Sequence, residues 1–275
     1  EQIAGFAPAE SAVHGASSSL ARAILLLERY PRTARLCHQA DWLSARLSGR
    51  FDISDENNCL KLGYDSINNC WPAWLSESTG LASQLFPEVV PAGTVIGPVK
   101  NEHIDRYALS GDCVVVAGTT DSNAAALAAT GASGTNGIGD AVTSLGSTLA
   151  IKLFTSKPLF APQYGIYSHH LNGHWLVGGA SNTGGAVLLQ HFTREQIDAM
   201  TLQLDPDNDT GLDYYPLPAT GERFPVCDPD KQSKITPRPD DDIAFFQGLL
   251  EGMARIEAEA YDKLAELGAE RPKRI

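Results

Sequence analysis

The sequence predicts an α/β protein with two domains, and three observations support this expectation. The chain has 275 residues, and at about 150 residues per domain this length accommodates two domains. Residues 17–30 and 39–47 carry apolar side chains at helical spacing, whereas β-branched runs separated by glycine and other small residues become frequent from residue 111 onward. We therefore expect a boundary near residues 100–112, with one domain over residues 1–105 and the other over residues 106–275.

In the first domain, apolar periodicity predicts helices over Ser17–Tyr30 and Gln39–Leu47, followed by a polar, turn-rich stretch over residues 50–70. Trp71–Ser76 predicts a short helical turn, because Pro72 suits the first position of a helix. Glu88–Val99 predicts a strand and a turn. The apolar residues of the two helices are Leu20, Ile24, Leu25, Leu27, Trp42, Leu43 and Leu47.

The second domain begins with a valine-rich run, Val114–Ala117, which predicts a buried strand, and a helix of small residues follows over Ser122–Ala129. Ala141–Leu145 and Thr148–Leu153 predict a hairpin, because a glycine–serine pair separates them. Asp241–Leu267 predicts a long helix with an acidic start and a glycine after its end. Trp175–Val177 leads into the glycine-rich segment Gly178–Gly185, and a helix is expected after it over Ala186–His191. Residues 203–240 are rich in Asp and Pro and predict an irregular excursion.

Charge and cysteine content exclude several classes of protein. Lys and Arg number 21 and Asp and Glu number 33, which gives a formal net charge of −12. This charge opposes nucleic acid as a partner, because phosphates need clustered basic side chains. No apolar stretch approaches the ~20 residues of a membrane-spanning helix, so we expect no membrane partner. Five cysteines without C-x-x-C spacing argue against a disulfide framework or a zinc site and favour a reducing compartment.

The strongest local pattern is the segment Ala117–Ala124, in which a strand ends, small residues turn and Asp121 precedes a helix. Ligands of open α/β sheets bind at the carboxyl ends of strands. Asp121 is therefore a candidate base that accepts a proton from a substrate hydroxyl, and phosphoryl transfer needs little more than such a base and phosphate donors. An equally weighted alternative is that Asp121 only caps the helix.

Two glycine-rich segments could bind an anion. Ser144–Thr148 combines Gly146 with hydroxyl residues in a hairpin and could form a phosphate nest, although a plain hairpin turn is the favoured interpretation of this segment alone. Gly178–Gly185 opens a helix and would let a ligand approach the backbone, and close helix–strand packing explains it equally well. Neither a G-x-G-x-x-G fingerprint nor a P-loop occurs in the sequence.

Other polar clusters carry weaker predictions. The histidines at 169, 170 and 174 favour an exposed loop over a metal site, since no spaced carboxylate or cysteine completes a ligand set. Asp52, Asp55 and Glu56 could line a sugar or calcium site, but a solvated loop is favoured. Trp71 and Trp74 favour core packing over a stacking platform.

Five short segments occur in an order that is informative as a set. They are Gln39–Leu43 with Arg46–Gly49 and Asp55–Asn58, then Phe86–Gly93, Gly118–Asp121, Ser144–Thr148 and Leu249–Ala254. In this order they resemble the FGGY family of carbohydrate kinases, and most of all its plant and cyanobacterial group described as D-ribulose kinase or xylulose kinase-like. The resemblance covers essentially the whole chain.

The resemblance implies a two-domain actin-like ATPase fold of the ribonuclease H type, with parts of both domains in this chain. Residues 1–105 would form the later part of the sugar-binding domain, and residues 106–275 the earlier part of the nucleotide-binding domain. The implied reaction is ATP-dependent phosphorylation of a ketopentose, with D-ribulose going to D-ribulose 5-phosphate and D-xylulose as the alternative substrate. The implied cofactors are ATP and Mg²⁺, and the implied compartment is the cytoplasm or the chloroplast stroma.

The resemblance also assigns residues to roles. Asp121 would be the catalytic base, with Thr120 beside it at the sugar. Gly146, Ser147 and Thr148 would hold phosphate oxygens, and the nucleotide would lie by Gly184. Mg²⁺ would bridge the phosphates, and no metal ligand from the protein is expected.

Two elements of the family pattern do not occur in these 275 residues. They are the opening D-x-G-T turn and the glycine-rich adenosine motif. We therefore expect an internal fragment that is not competent alone. An inactive sugar-binding or scaffold protein is the alternative from another class, and an actin-like ATPase without a sugar substrate is a third.

Overall fold

A computed structural model describes residues 3–15, 18–32, 35–130 and 137–275. The chain divides into two compact units. The first unit comprises Glu1–Ala128 and Ser168–Leu176, and the second comprises Ala129–Tyr167 and Val177–Ile275. The units are thus not continuous in sequence, whereas the domains expected from the family pattern are, and the family boundary near residues 100–112 stays a prediction.

Helices and strands are intermixed along the described residues. The helices are α1 (Ser19–Arg29), α2 (Gln39–Ser48), α3 (Glu56–Cys59), α4 (Ala73–Thr79), α5 (Asn101–Tyr107), α6 (Asp121–Thr130), α7 (Gly185–His191), α8 (Arg194–Thr201) and α9 (Asp242–Glu266). The strands are β1 (Ile53–Asp55), β2 (Glu88–Val90), β3 (Val95–Pro98), β4 (Val114–Val116), β5 (Ala141–Leu145), β6 (Leu149–Thr155), β7 (Tyr167–Leu171) and β8 (His174–Ser181).

The first unit is built on two small sheets and an apolar cluster. Strand β1 pairs with β2 in parallel, and β3 pairs with β4 antiparallel. The predicted core role of Trp71 is confirmed: its ring stacks on Phe86 with centroids 4.6 Å apart, and its Nε1 donates to the Pro87 carbonyl at 2.9 Å. The cluster consists of Val13, Leu20, Ala23, Leu62, Leu75, Leu81, Leu85 and Phe86, with Trp71 and Trp74 packed against it.

The apolar side chains that the sequence places on one side of helix α2 are exposed. Trp42 and Leu43 are 48% and 55% exposed, whereas Asp41 and Ala45 are buried. The reason is a polar contact, because Asp41 Oδ1 accepts a hydrogen bond from the buried Ser54 Oγ at 2.9 Å. The inward side of this helix therefore carries a carboxylate, and its apolar side faces outward.

Four further details of the first unit differ from expectation, whereas the cap of α1 agrees with it. The cap of α1 is Ser18, one of the three serines at positions 17–19 that the sequence offers for this role, and it accepts from the N–H of Ala21 at 3.2 Å. Ser17 lies outside the described residues. Leu25, counted among the apolar residues of this helix, is 64% exposed. Strand β4 is buried only at Val115 rather than throughout. Helix α4 begins after Pro72, not at it, and α5 was not predicted because its sequence is mostly polar.

The second unit follows the sequence predictions closely. Strands β5 and β6 form the expected antiparallel hairpin, with Leu145 opposite Leu149. Helix α9 is capped by Asp241, which accepts from the N–H of Ile243, and Gly268 follows its end at a φ of +107°. Residues 203–240 contain no helix or strand, as predicted, whereas α8 was missed. Strand β7, which lies in the first unit except for Tyr167, was missed as well. Two apolar clusters form the core, and α9 contributes to both of them.

All five cysteines are free thiols, as the absence of a disulfide spacing predicted. Within the described ranges, no helix combines the length and apolar character needed to cross a membrane.

Candidate functional site

The turn between β4 and α6 carries Asp121. The end of the strand is fixed by two backbone bonds, in which Ala117 N donates to Thr94 O and Gly93 N donates to Ala117 O, both at 2.8 Å. Asp121 is the first residue of α6 and its side chain is exposed, with Oδ1 accepting from the N–H of Ser122 at 2.7 Å. An exposed carboxylate at a helix start is accessible to a ligand, and the same contact also serves the helix terminus.

Thr119, two residues before Asp121, is the anchored residue of this turn. Its Oγ1 accepts from Asn57 Nδ2 at 3.0 Å and lies 3.4 Å from Asn123 Nδ2. Asn57 and Asn123 are both buried residues. Thr120, which the sequence placed at the substrate, is half-buried and next to Asp121. Its contact with a sugar stays a prediction.

The segment preceding Asn57 is not the solvated loop that its composition predicted. Asp55 and Glu56 are 3% and 4% exposed, because this segment forms strand β1 and helix α3 rather than a loop. Asp52 behaves as predicted: it stays near the surface, where its Oδ1 accepts from Arg50 Nε at 2.9 Å.

Burial governs the protonation of these two carboxylates. Burial raises the pKa of Asp55, although hydrogen bonds from Asn57 and Asn58 oppose the shift. Burial also raises the pKa of Glu56, against the lowering influence of His170, whose Nδ1 lies 3.1 Å from Glu56 Oε1. A desolvated carboxylate costs free energy unless it is paired, so Glu56 and His170 form a structural contact.

The predicted loop histidines lie on strands. His170 lies on β7, where its ring contacts Glu56 and is 5.2 Å from the Trp175 ring. In the described part of the chain, no group of three or more His, Cys, Asp or Glu side chains is arranged to hold a metal ion.

The second loop, Gly146–Thr148, joins β5 to β6 and is exposed at all three residues. Gly146 N donates to Thr148 O at 3.1 Å, which closes the turn. The hydroxyls of Ser147 and Thr148 can donate to an anion such as a phosphate. The structure therefore contains the hairpin that the sequence favoured, and its binding of phosphate stays a prediction.

Gly184 packs against this loop. Its φ is +148°, and a Cβ at this position would lie 2.7 Å from Ser147 O. Gly185 N donates to Gly146 O at 2.8 Å, and Ala186 N donates to Ser147 O at 3.2 Å. Close packing by itself requires glycine at position 184, which supports the second of the two interpretations drawn from the sequence. A nucleotide contact at Gly184 stays a prediction.

A buried carboxylate that the sequence analysis missed supports this second loop. Glu222 is 3% exposed and accepts from Ser181 Oγ at 2.5 Å and from the N–H of Asn182 at 2.8 Å. It thereby fixes the segment that leads to Gly184. No local signal identifies Glu222, since it lies in the irregular excursion about 40 residues after its partners.

Known proteins resemble this chain in sequence and in structure. No family profile matches the chain. YoaC of Bacillus subtilis (strain 168), whose own assignment as a sugar kinase is provisional, is 30% identical over 149 residues, which are 54% of this chain and 30% of that protein. The solved xylulose kinase of Brucella ovis aligns with a TM-score of 0.77 at 22% identity, over 91% of this chain and 53% of that one.

Two other solved kinases give similar values. The xylulose kinase of Rhodospirillum rubrum aligns with a TM-score of 0.75 at 22% identity, over 93% of this chain and 54% of that one. The glycerol kinase of Plasmodium falciparum, solved with ADP, aligns with a TM-score of 0.73 at 18% identity, over 91% of this chain and 53% of that one.

These alignments define the fold. The chain has the α/β fold of the two-domain actin-like ATPases, as the resemblance implied. More particularly, it has the fold of the solved sugar kinases of this class, and it spans about half of their length.

Proposed function

We propose that this sequence forms part of an ATP-dependent carbohydrate kinase that phosphorylates a ketopentose, with D-ribulose going to D-ribulose 5-phosphate. The observation that carries the proposal is the exposed Asp121 carboxylate at the start of α6, directly after strand β4. This arrangement is what a base needs in order to reach a substrate hydroxyl. The xylulose kinase names of the structural neighbours make D-xylulose the alternative substrate.

In the proposed reaction, Asp121 accepts the proton of a sugar hydroxyl, and the sugar oxygen attacks the terminal phosphorus of ATP. The bond from that phosphorus to the oxygen bridging it to the β-phosphate breaks, and ADP leaves with the electron pair. Thr120 would lie at the sugar. The hydroxyls of Ser147 and Thr148, with the backbone at Gly146, would bind phosphate oxygens, and Gly184 would lie by the nucleotide. Mg²⁺ bound by the ATP phosphates would supply charge neutralisation on the transferred group.

The decisive experiment substitutes the proposed base in the full-length protein that contains this sequence. Asp121→Asn keeps the shape of the side chain and removes its basicity. We expect kcat to fall by about 10²–10⁴-fold, the contribution typical of general acid–base catalysis. ATP affinity, measured by calorimetry, should stay nearly unchanged.

The matched control is Asp105→Asn, which neutralises an exposed carboxylate on α5 in the same unit. Its kcat should stay within about twofold of the parent, as expected for a surface substitution away from the site. Normal turnover by Asp121→Asn would exclude Asp121 as the base. A panel of ketopentoses separates D-ribulose from D-xylulose. Sugar binding without turnover by the parent supports the inactive binding protein, and ATP hydrolysis without sugar dependence supports the actin-like ATPase.

A further inference from the structure

We propose that Asn57 is a positioning residue for the reaction centre. Through Thr119 it fixes the turn between β4 and α6, and it thereby sets where the Asp121 carboxylate lies. The inference rests on the proposed function, in which Asp121 is the base.

The Asn57 amide joins two chain segments that are distant in sequence. Its Nδ2 donates to Thr119 Oγ1 and to the His170 carbonyl, both at 3.0 Å. A backbone carbonyl only accepts hydrogen bonds, so the nitrogen of the amide must be the atom that faces His170. Both N–H groups of this nitrogen are then engaged, and the amide cannot rotate without losing a hydrogen bond in a buried site.

The Thr119 oxygen is held from two sides, and the two donors differ in what they fix. Asn123 lies on α6 together with Asp121, so the contact between its amide and Thr119 Oγ1 joins the turn to the helix that follows it. Asn57 lies on α3, which precedes the turn by 62 residues. Asn57 therefore joins the turn to a part of the unit that is distant from it in sequence.

Asn57 is itself rigidly placed. Its backbone N–H donates to Asp55 Oδ1 at 2.9 Å, and the residue is only 3% exposed. The segment of its second acceptor is fixed as well, because the His170 ring contacts the buried Glu56, the residue that precedes Asn57. Misplacing a reacting group by about 1 Å can cost about 10²-fold in rate, so an anchor of this kind affects kcat.

The test compares Asn57→Ala with Asn58→Ala in the full-length protein. Asn58 is the neighbouring amide and donates to Asp55 Oδ2 at 2.6 Å, but it makes no hydrogen bond to Thr119 in the described residues. We expect kcat to fall about 10–100-fold in Asn57→Ala with the KM for ATP unchanged, and to stay within about twofold in Asn58→Ala.

Removal of the acceptor supplies a second variant pair in case Asn57→Ala folds poorly. Thr119→Val removes the hydroxyl and should lower kcat as Asn57→Ala does, whereas Thr119→Ser keeps the hydroxyl and should restore it. The double variant Asn57→Ala/Thr119→Val should lose little more than either single variant, because the two side chains act through one hydrogen bond.

Amide hydrogen exchange reports on the turn independently of activity. The amides of residues 118–123 should exchange faster in Asn57→Ala than in the parent. Their exchange rates in Asn58→Ala should equal those of the parent. Unchanged exchange and kcat in Asn57→Ala, while Asp121→Asn is inactive, would overturn this inference and leave the proposed function intact. Normal kcat in Asp121→Asn would instead remove the proposed function.

Discussion

The sequence contains two D-x-x-N segments, Asp55–Asn58 and Asp65–Asn68, that fold in the same way. In the first, Asp55 Oδ1 accepts from the backbone N–H groups two and three residues later, both at 2.9 Å, and Oδ2 accepts from Asn58 Nδ2 at 2.6 Å. In the second, the corresponding distances at Asp65 are 2.9, 3.0 and 2.7 Å. The local sequence therefore determines this turn, because aspartate and asparagine bond to nearby backbone.

The two segments differ in where the fold places them. Asp55 is 3% exposed and Asn57 lies inside the unit, whereas Asp65 is half-buried and Asn68 is exposed. Burial raises the pKa of Asp55. Burial also acts to raise the pKa of Asp65, but hydrogen bonds from Asn68 and the N–H of Ile67 outweigh it and lower the pKa. Equal local geometry thus gives opposite electrostatic behaviour.

Truncation of the two aspartates should give the largest difference in stability between the two segments. Asp55→Ala leaves two backbone N–H groups and an amide without their acceptor in a buried site, and we expect a loss of about 3 kcal/mol in the free energy of unfolding. Asp65→Ala exposes the same groups to water and should cost about 1 kcal/mol. Chemical denaturation of both variants measures the difference. Equal losses would contradict a role for burial.

The same contrast marks what could be predicted from the sequence. The polar composition of residues 50–70 predicted a solvated loop, which holds for Asp52 and fails for Asp55 and Glu56. Composition is a local property, whereas burial depends on what packs over a segment. Asn57 meets Thr119 and His170 at separations of 62 and 113 residues, and no spacing in the sequence indicates such contacts.

Elements set by local patterns were predicted well. The hairpin of β5 and β6 follows from a glycine–serine pair between two apolar runs, and α9 follows from its periodicity, its acidic start and Gly268. Helix α6 follows from its run of small residues. The sequence also placed Asp121 after a strand and at a helix start. It did not indicate which residues hold that turn in place, because they lie on other elements.

The pH dependence of stability should also differ between the Asp55 and Asp65 segments, with a smaller effect than truncation. Because the folded pKa of Asp55 is raised, the stability linked to its protonation is complete below the unfolded value of about 3.9 and is lost as pH rises through the folded pKa. The folded pKa of Asp65 is lowered, so its stability is complete above about 3.9 and is lost as pH falls through the folded pKa.

Each aspartate is compared with its own asparagine variant, which keeps the shape and capping ability of the side chain. The stability of the parent minus that of Asp55→Asn should fall as pH rises above about 4. The stability of the parent minus that of Asp65→Asn should fall as pH drops below about 4. Unfolding titrations at several pH values measure both differences. Slopes of the same sign would contradict the assigned pKa directions.

The asparagines that close the two turns give the smallest expected difference. Asn58→Ala removes a hydrogen bond to a buried carboxylate and should cost about 1 kcal/mol. Asn68→Ala removes the matching bond at the surface, where water replaces it, and should stay within about 0.5 kcal/mol of the parent. Thermal unfolding of both variants measures the two losses. A larger loss in Asn68→Ala than in Asn58→Ala would contradict the expectation that burial makes the first turn contribute more to stability than the second.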